Sequence, residues 1–114
     1  MSENERQNTA TLALDDLPPG KVKQVIINNE PVAVCNVDGV IHAIHDQCTH
    51  VGIELSGGFL DGHDLICPWH GAAFYVRTGV PQSGPASIPC RRYTVTVDGQ
   101  IITVTDQIPP APKP

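Results

Sequence analysis

The segments CTHVG (residues 48–52) and CPWHGAAF (residues 67–74) carry most of the information in this chain. Each segment places a cysteine and a histidine close together beside a glycine, so that Cys48, His50, Cys67 and His70 offer two thiolates and two imidazoles. This donor set suits either a tetrahedral zinc ion or an iron–sulfur cluster with one iron on cysteines and the other on histidines. The two segments therefore predict a metal centre.

The composition is that of one small globular domain. The chain has 114 residues, 40% of them apolar, with eleven prolines and ten glycines, which favour short strands over long helices. No apolar run is long enough to span a membrane, and the polar stretch Met1–Asn8 has no signal-peptide pattern, so we expect a cytoplasmic protein. The net charge of −5 argues against a nucleic-acid partner.

The central part of the chain has the pattern of an all-β protein. Strand-like runs occur at residues 22–27, 32–37, 40–44, 93–97 and 101–104. Asp38-Gly39 and Asp98-Gly99 predict type I′ hairpin turns, whose two central residues both need a positive φ. Tyr93, Val95 and Val97 alternate with threonines, which predicts one buried face. We expect an antiparallel β sandwich with a loop-rich subdomain that binds the metal.

Changes in composition suggest the domain boundaries. Residues 1–10 are polar, and we expect them to form a flexible tail. Residues 106–114 are rich in proline, and we expect them to form a second tail. The domain itself is expected at residues 11–105, with the metal-binding subdomain at about residues 45–86, where glycines are frequent. A short helical turn is expected around residues 15–19.

Other interpretations of the cysteines and histidines are weaker. Four cysteines in a chain without a signal peptide are expected to be thiols or ligands and not disulfides. Structural zinc is disfavoured because only one residue separates Cys48 from His50, whereas two to four residues usually separate neighbouring zinc ligands. Cys35 lies in an apolar, strand-like run, so we expect it to be a small buried residue. Cys90 has no histidine at ligand spacing, and we place it outside the site.

The two segments, followed by Thr78-Gly79 and by Gly84-Pro85, closely resemble the Rieske-type ferredoxins of bacterial aromatic-ring dioxygenase systems. The resemblance is strongest over residues 45–86. It implies one 2Fe-2S cluster, with Cys48 and Cys67 on one iron and His50 and His70 on the other. The residues implied to surround this cluster are Gly52, Trp69, Gly71, Gly84 and Pro85.

The chain departs from the Rieske subunits of respiratory and photosynthetic complexes at positions near the ligands. Their extra disulfide is impossible here, because Ile53 and Trp69 occupy the two positions. Their serine and tyrosine donors to sulfur correspond to Ala72 and Phe74, and Tyr75 is expected to point away. Since such donors stabilise the reduced state, we expect a potential low in the Rieske span of about −150 to +300 mV.

The resemblance implies a one-electron carrier. Its expected partners are a flavin-containing NAD(P)H reductase as donor and a terminal Rieske non-haem iron oxygenase as acceptor, with no nucleic acid and no membrane. No catalytic residue is expected, because no histidine follows His70 to build an oxygenase iron site. The alternatives are a small subunit of a nitrite-reductase-like complex and a zinc-stabilised binding module.

The remaining histidines and the nearby carboxylates are expected at the surface. We expect exposed side chains at His42, His45 and His63. Four acidic residues near the two segments are expected to be solvated or to orient a basic partner: Asp46, Glu54, Asp61 and Asp64.

Overall fold

The computed structural model describes residues 8–48, 52–68, 71–83 and 88–109. These residues form ten strands: β1 (Thr9–Ala13), β2 (Val22–Ile27), β3 (Glu30–Val37), β4 (Val40–His45), β5 (Phe59–Asp61), β6 (Asp64–Ile66), β7 (Ala73–Tyr75), β8 (Val80–Ser83), β9 (Thr94–Asp98) and β10 (Ile101–Thr105). Their helices are two 3₁₀ turns, Leu14–Asp16 and Leu55–Gly57, and neither has the length or apolar character needed to cross a membrane. The predicted all-β class is confirmed.

The strands form three antiparallel sheets. The first sheet has the order β1-β10-β9, the second β2-β3-β4, and the third β5-β6-β7-β8. The third sheet was not expected, because the sequence predicted loops through most of residues 45–86. Its strands are only three or four residues long, too short to show a clear alternation of apolar and polar residues.

The second sheet lies between the other two, and its central strand β3 is buried on both faces. Alternate residues of a strand point to opposite faces, and β3 is buried on both sides from Val32 to Val37. One core lies between the first and second sheets; its buried members are Leu17, Ile27, Val32, Val34, Ile41, Ala43, Tyr93, Ile102 and Val104. The other core lies on the opposite face; its buried members are Ala33, Cys35, Val37, Ile44, Cys48, Leu55, Leu65, Cys67, Ala72, Phe74, Val76 and Cys90. The predicted metal-binding segments thus border a core of their own.

One predicted hairpin turn is confirmed and the other is displaced by one residue. Asp38 and Gly39 both take a positive φ, of 53° and 93°, as a type I′ turn requires. The prediction for Asp98-Gly99 is wrong, because Asp98 pairs with Ile101 and leaves Gly99-Gln100 as the loop. Of these two loop residues only Gly99 has a positive φ, the glycine-first pattern of a type II′ turn.

The predicted buried face of residues 93–97 extends only part of the way. Tyr93 is buried in the first core and Val95 packs against it, but Val97 is 48% exposed. β9 lies at the edge of the first sheet, and the core beneath it extends no further than Val95.

The ends of the described chain are tied to the first sheet. β1 begins at Thr9, two residues before the predicted domain start, and pairs with β10. Residues 106–109 make specific contacts: Asp106 forms an ion pair with Arg91, and the Thr94 hydroxyl donates a hydrogen bond to the Gln107 carbonyl. Residues 1–7 and 110–114 lie outside the described residues, and the tails stay predictions there.

Candidate metal centre

Cys48 and Cys67 begin two loops that close in the same way. The Cys48 amide donates a hydrogen bond to the Ile53 carbonyl at 2.7 Å, and the Cys67 amide donates one to the Ala72 carbonyl at 2.7 Å. In each case the partner carbonyl belongs to the fifth residue after the cysteine. We call residues 48–53 the first loop and residues 67–72 the second loop. Both cysteines are thereby anchored through their backbones, which holds their side chains in place.

A glycine precedes the closing residue of each loop. Gly52 has a φ of 78° and Gly71 a φ of 71°, a conformation that L residues with a Cβ rarely adopt. A Cβ added at Gly71 would meet nothing within 4 Å, and one at Gly52 would lie 3.4 Å from the side-chain Nε2 of Gln47. The backbone turn therefore accounts for both glycines, and their predicted proximity to a cluster stays a prediction.

The two thiols are suited to binding iron. The Cys48 and Cys67 residues are 1% and 2% exposed, and both border the core between the second and third sheets. All four cysteines of the chain lie within the described residues, and each is a thiol, as predicted. Two buried, soft sulfur donors on loops with the same closing hydrogen bond fit one iron of a cluster, because thiolates bind iron well and burial keeps water away.

The remaining predicted site residues lie outside the described residues. They are His50, Trp69, His70, Gly84 and Pro85. Their roles as ligands or neighbours of a cluster stay predictions that follow from the resemblance.

The elements that hold the two loops approach each other closely. β6 and β7 pair through Ile66 and Ala73 and carry the second loop at their tip, whereas the first loop leads into the 3₁₀ turn Leu55–Gly57. A Cβ built on Gly58 would lie 1.8 Å from the Ile66 carbonyl oxygen, so only glycine permits this contact. Gly58 is a residue of the site that sequence reasoning missed.

The expectation that Asp46 lies at the surface is wrong. Asp46 is fully buried, and both carboxylate oxygens accept hydrogen bonds, Oδ2 from Gln24 Nε2 at 2.8 Å and Oδ1 from the Ser56 amide at 2.6 Å. These contacts explain how a carboxylate can be buried, since the hydrogen bonds offset the hydration energy that burial removes. No local signal reveals them, because the partners are distant in sequence. Glu54 and Asp61 are exposed as expected.

Cys90 lies beside the first loop, although sequence reasoning placed it outside the site. Its buried thiol donates a hydrogen bond to the Gln47 carbonyl at 3.5 Å. Burial raises the pKa of Cys90 to about 12, with further contributions from Cys48 and then Asp46. Cys35 is buried as predicted, and burial, followed by the charge of Asp46, raises its pKa to about 12 as well. Both are thus neutral thiols at ordinary pH.

The positions that hold hydroxyl donors in the respiratory subunits are apolar and buried here. Ala72 and Phe74 are fully buried in the core that borders the two cysteines. Tyr75 is half-buried, and its ring centroid lies 5.8 Å from that of His63, in the turn between β5 and β6. The tyrosine ring thus packs at the end of the hairpin opposite the second loop.

The three remaining histidines differ in exposure. His63 is exposed as expected, but His45 is half-buried and its Nε2 lies 2.9 Å from Glu30 Oε1. His42 is also half-buried, and its buried Nε2 has no hydrogen-bond partner among the described residues. Its pKa is lowered by burial, then by His63 and Arg77. The exposed positions predicted for His42 and His45 are therefore wrong, because the third sheet and β3 cover them.

Comparison with known proteins identifies the family. A profile of the Rieske [2Fe-2S] domain matches residues 7–104. The chain belongs to the Rieske [2Fe-2S] family. The biphenyl dioxygenase ferredoxin subunit of Pseudomonas sp. (strain KKS102) is 40% identical over 97 residues, which are 84% of this chain and 89% of that protein. This Rieske ferredoxin therefore has one 2Fe-2S cluster as its cofactor, and the resemblance seen in the two segments is confirmed.

Solved structures agree with this assignment. A chain in the complex of reduced oxygenase and oxidized ferredoxin in carbazole 1,9a-dioxygenase is similar in fold, with a TM-score of 0.84 and 35% sequence identity. The match covers 90% of this Rieske ferredoxin and 97% of that chain. A nitrite reductase small subunit has a TM-score of 0.73, covering 84% of this chain and 96% of that one, at 23% identity. The second likeness shows the fold alone, so the comparisons favour the dioxygenase ferredoxins.

Proposed function

We propose that this protein carries single electrons from an NAD(P)H-dependent flavin reductase to a terminal Rieske non-haem iron oxygenase. The observation that carries the proposal is the pair of equivalent loops, each of which begins with a buried cysteine thiol. The relatives support it, since one is a ferredoxin subunit of biphenyl dioxygenase and another is part of an oxygenase–ferredoxin complex.

The proposed ligands are Cys48 and Cys67 for one iron and His50 and His70 for the other. When bound, the cluster accepts and releases one electron at a potential raised by its neutral imidazoles. The backbone hydrogen bonds at Cys48 and Cys67 hold the sulfur donors in place, so that little rearrangement accompanies a change of charge. Ala72 and Phe74 bring no hydroxyl to the site, which favours a potential low in the Rieske range. The chain then acts as a carrier and not as a catalyst.

Anaerobic purification followed by iron and acid-labile sulfide analysis tests the cofactor. We expect two irons and two sulfides per chain and, after dithionite reduction, a rhombic EPR signal with a mean g value below that of all-cysteine clusters. A colourless protein that contains zinc and no sulfide would establish the zinc-stabilised module instead.

Substitution of the thiols tests the ligands. Cys48→Ser and Cys67→Ser should each lose the cluster, whereas Cys35→Ser, which changes a buried thiol on β3, should retain it. His70→Cys should lower the potential sharply in any cluster that assembles, since a thiolate adds negative charge. An unchanged potential in that variant would count against His70 as a ligand.

Electron transfer to the partners is tested with purified components. A flavin reductase of a dioxygenase system should reduce the protein in the presence of NADH or NADPH, and an aromatic-ring oxygenase should reoxidise it in single-turnover mixing. A large subunit that co-purifies tightly, with no exchange between carriers, would contradict a diffusing carrier.

A further inference from the structure

The two loops have different supports beneath them. The second loop continues directly into paired strands, because β6 and β7 form backbone hydrogen bonds on both sides of it, beginning with Ile66 opposite Ala73. The first loop follows β4, and within the described residues β4 pairs with β3 and, at Ile44, with Arg92, but not with the segment after the loop. The Cys48–Ile53 hydrogen bond closes the first loop itself, but no strand pairing joins the segments on either side of it.

The carboxylate of Asp46 joins these two segments. Asp46 lies two residues before Cys48, and its Oδ1 accepts a hydrogen bond from the Ser56 amide, three residues after Ile53, at 2.6 Å. Its Oδ2 accepts a hydrogen bond from Gln24 Nε2 on β2 at 2.8 Å, and its amide donates to the Pro31 carbonyl at 2.9 Å. One fully buried side chain thus joins both ends of the first loop to the second sheet.

We propose that Asp46 is a positioning residue for the cluster, and that its carboxylate replaces the strand pairing that the first loop lacks. The inference rests on the proposed function, in which Cys48 is a ligand. Hydrogen bonds to a buried carboxylate are stronger than those between neutral groups, so this contact can restrain Cys48 as firmly as a backbone ladder restrains Cys67. Nothing in the local sequence around Asp46 distinguishes this role from that of a surface carboxylate.

The proposal requires acceptor atoms at this position. An asparagine side chain in place of Asp46 would retain one oxygen for the Ser56 amide, and the Gln24 amide could turn to accept from the new NH₂ group, so D46N should keep the contact. D46A removes both acceptors and leaves the Ser56 amide without its partner. Comparison of the two variants separates the contact itself from the charge of the carboxylate.

The experiment measures how fast each purified holoprotein loses its cluster to an excess of an iron chelator, together with its EPR spectrum after reduction. Loss from D46A should be at least about tenfold faster than from the wild type, since changes to groups that orient ligands typically cost 10–100-fold in metal affinity. The g values of D46A should shift or broaden. D46N keeps both contacts without the charge, so it should lie nearer to the wild type than to D46A in both measurements.

Asn36→Ala is the matched control. Asn36 is also buried, and its side chain makes two hydrogen bonds, donating to the Leu17 carbonyl and accepting from the Gly39 amide, far along β3 from the first loop. N36A should lower the unfolding temperature without altering the rate of cluster loss or the g values. If D46A behaves like N36A, or if D46N loses the cluster as fast as D46A, the proposal is wrong.

The outcomes separate this proposal from the proposed function. A wild-type protein without iron would overturn the proposed function, whereas a wild-type cluster that is unaffected by D46A would overturn only the role of Asp46. If D46A does not fold, Q24A replaces it, because it removes one of the two side-chain contacts of the carboxylate and leaves the Ser56 amide in place. Q24A should then lose its cluster faster than N36A, and an equal rate would overturn the proposal.

Discussion

The first and second loops have the same closure and different foundations. In both, a cysteine amide bonds to the fifth following carbonyl and a glycine with a positive φ precedes that residue. The second loop lies at the tip of a β hairpin, whereas the segments on either side of the first loop are joined by the carboxylate of Asp46. The comparison shows that one local geometry can be secured either by backbone pairing or by a single buried side chain.

This difference has a consequence for robustness. Backbone hydrogen bonds between β6 and β7 tolerate most side chains, so the hairpin beneath the second loop survives many substitutions. Below its closing hydrogen bond, the two sides of the first loop are joined by the side chain of Asp46, whose loss leaves the Ser56 amide without its partner. We therefore expect the first loop to be the more sensitive of the two.

The largest effect is expected where the supports of the two loops meet. Gly58→Ala would place a Cβ 1.8 Å from the Ile66 carbonyl oxygen, a backbone atom that cannot move aside without disturbing β5 and β6. We expect a loss of about 3 kcal/mol in the free energy of unfolding, the upper part of the usual range for overpacking. Chemical denaturation followed by circular dichroism measures it.

Gly62→Ala is the control for this substitution. Gly62 has a φ of 63°, and a Cβ there would meet nothing within 4 Å, so only the cost of the backbone conformation remains, about 1 kcal/mol. Equal losses for the two variants would show that the supports of the loops are not in close contact at Gly58.

A smaller effect tests whether the loops are equivalent. Gly52→Ala and Gly71→Ala each force an alanine into a positive φ, of 78° or 71°, and each should cost about 1–2 kcal/mol in the free energy of unfolding. The two losses should agree within about 0.5 kcal/mol, because the backbone conformations are alike. A much larger loss for one variant, measured in the same denaturation assay, would refute the shared geometry of the two loops.

A still smaller effect concerns the hairpin beneath the second loop. Phe74→Tyr would add a hydroxyl in the core that borders Cys67, at the position where the respiratory and photosynthetic Rieske subunits carry a tyrosine donor to sulfur. Such a donor should raise the potential by tens of millivolts, because about 59 mV corresponds to a tenfold change in a one-electron equilibrium. Cyclic voltammetry of the purified protein measures the shift.

Tyr75→Phe is the matched control on the same strand. Tyr75 is the next residue along β7, so its side chain points to the opposite face, and its ring packs beside His63. Removal of its hydroxyl should leave the potential unchanged. A shift as large as that of Phe74→Tyr would mean that the potential reports general changes in the hairpin.

The features that the sequence revealed are local ones. The Asp38-Gly39 turn lies directly between the two strands that it joins, and the Cys/His spacing lies within each segment, so a short stretch of chain contains the whole pattern. The strand at residues 32–37 was visible for the same reason, since residues 32–35 form a continuous apolar run.

The features that the sequence concealed depend on distant partners. Asp46 is buried because Gln24 and Ser56 donate to it, and Cys90 borders the first loop because its thiol reaches Gln47. Neither contact leaves a pattern near the residue itself. The turn after Asp98 was displaced because pairing with Ile101, and not the Asp-Gly motif, sets where the strand ends.

The smallest expected effect tests the contact between the second and third sheets. His42 lies on β4, the strand that precedes the first loop, and its ring centroid is 6.1 Å from that of His63 in the third sheet's first turn. Burial, then His63, then Arg77 lower the pKa of His42 in the folded protein. The unfolded chain, with a histidine pKa of about 6.5, therefore binds more protons than the folded protein in mildly acidic solution.

The sign of the pH dependence follows from this difference. The contribution of His42 is fully present above about pH 6.5, decreases as the pH falls below that value, and stops changing below the folded-state pKa. His42→Gln should remove this decrease, so that the difference in unfolding free energy between variant and wild type changes between pH 8 and pH 5. His45→Gln, on the same strand, is the control and should leave the decrease in place. If His42→Gln retains the wild-type pH profile, the imidazole of His42 is not held neutral between the two sheets, and the support of the first loop is independent of the third sheet at this point.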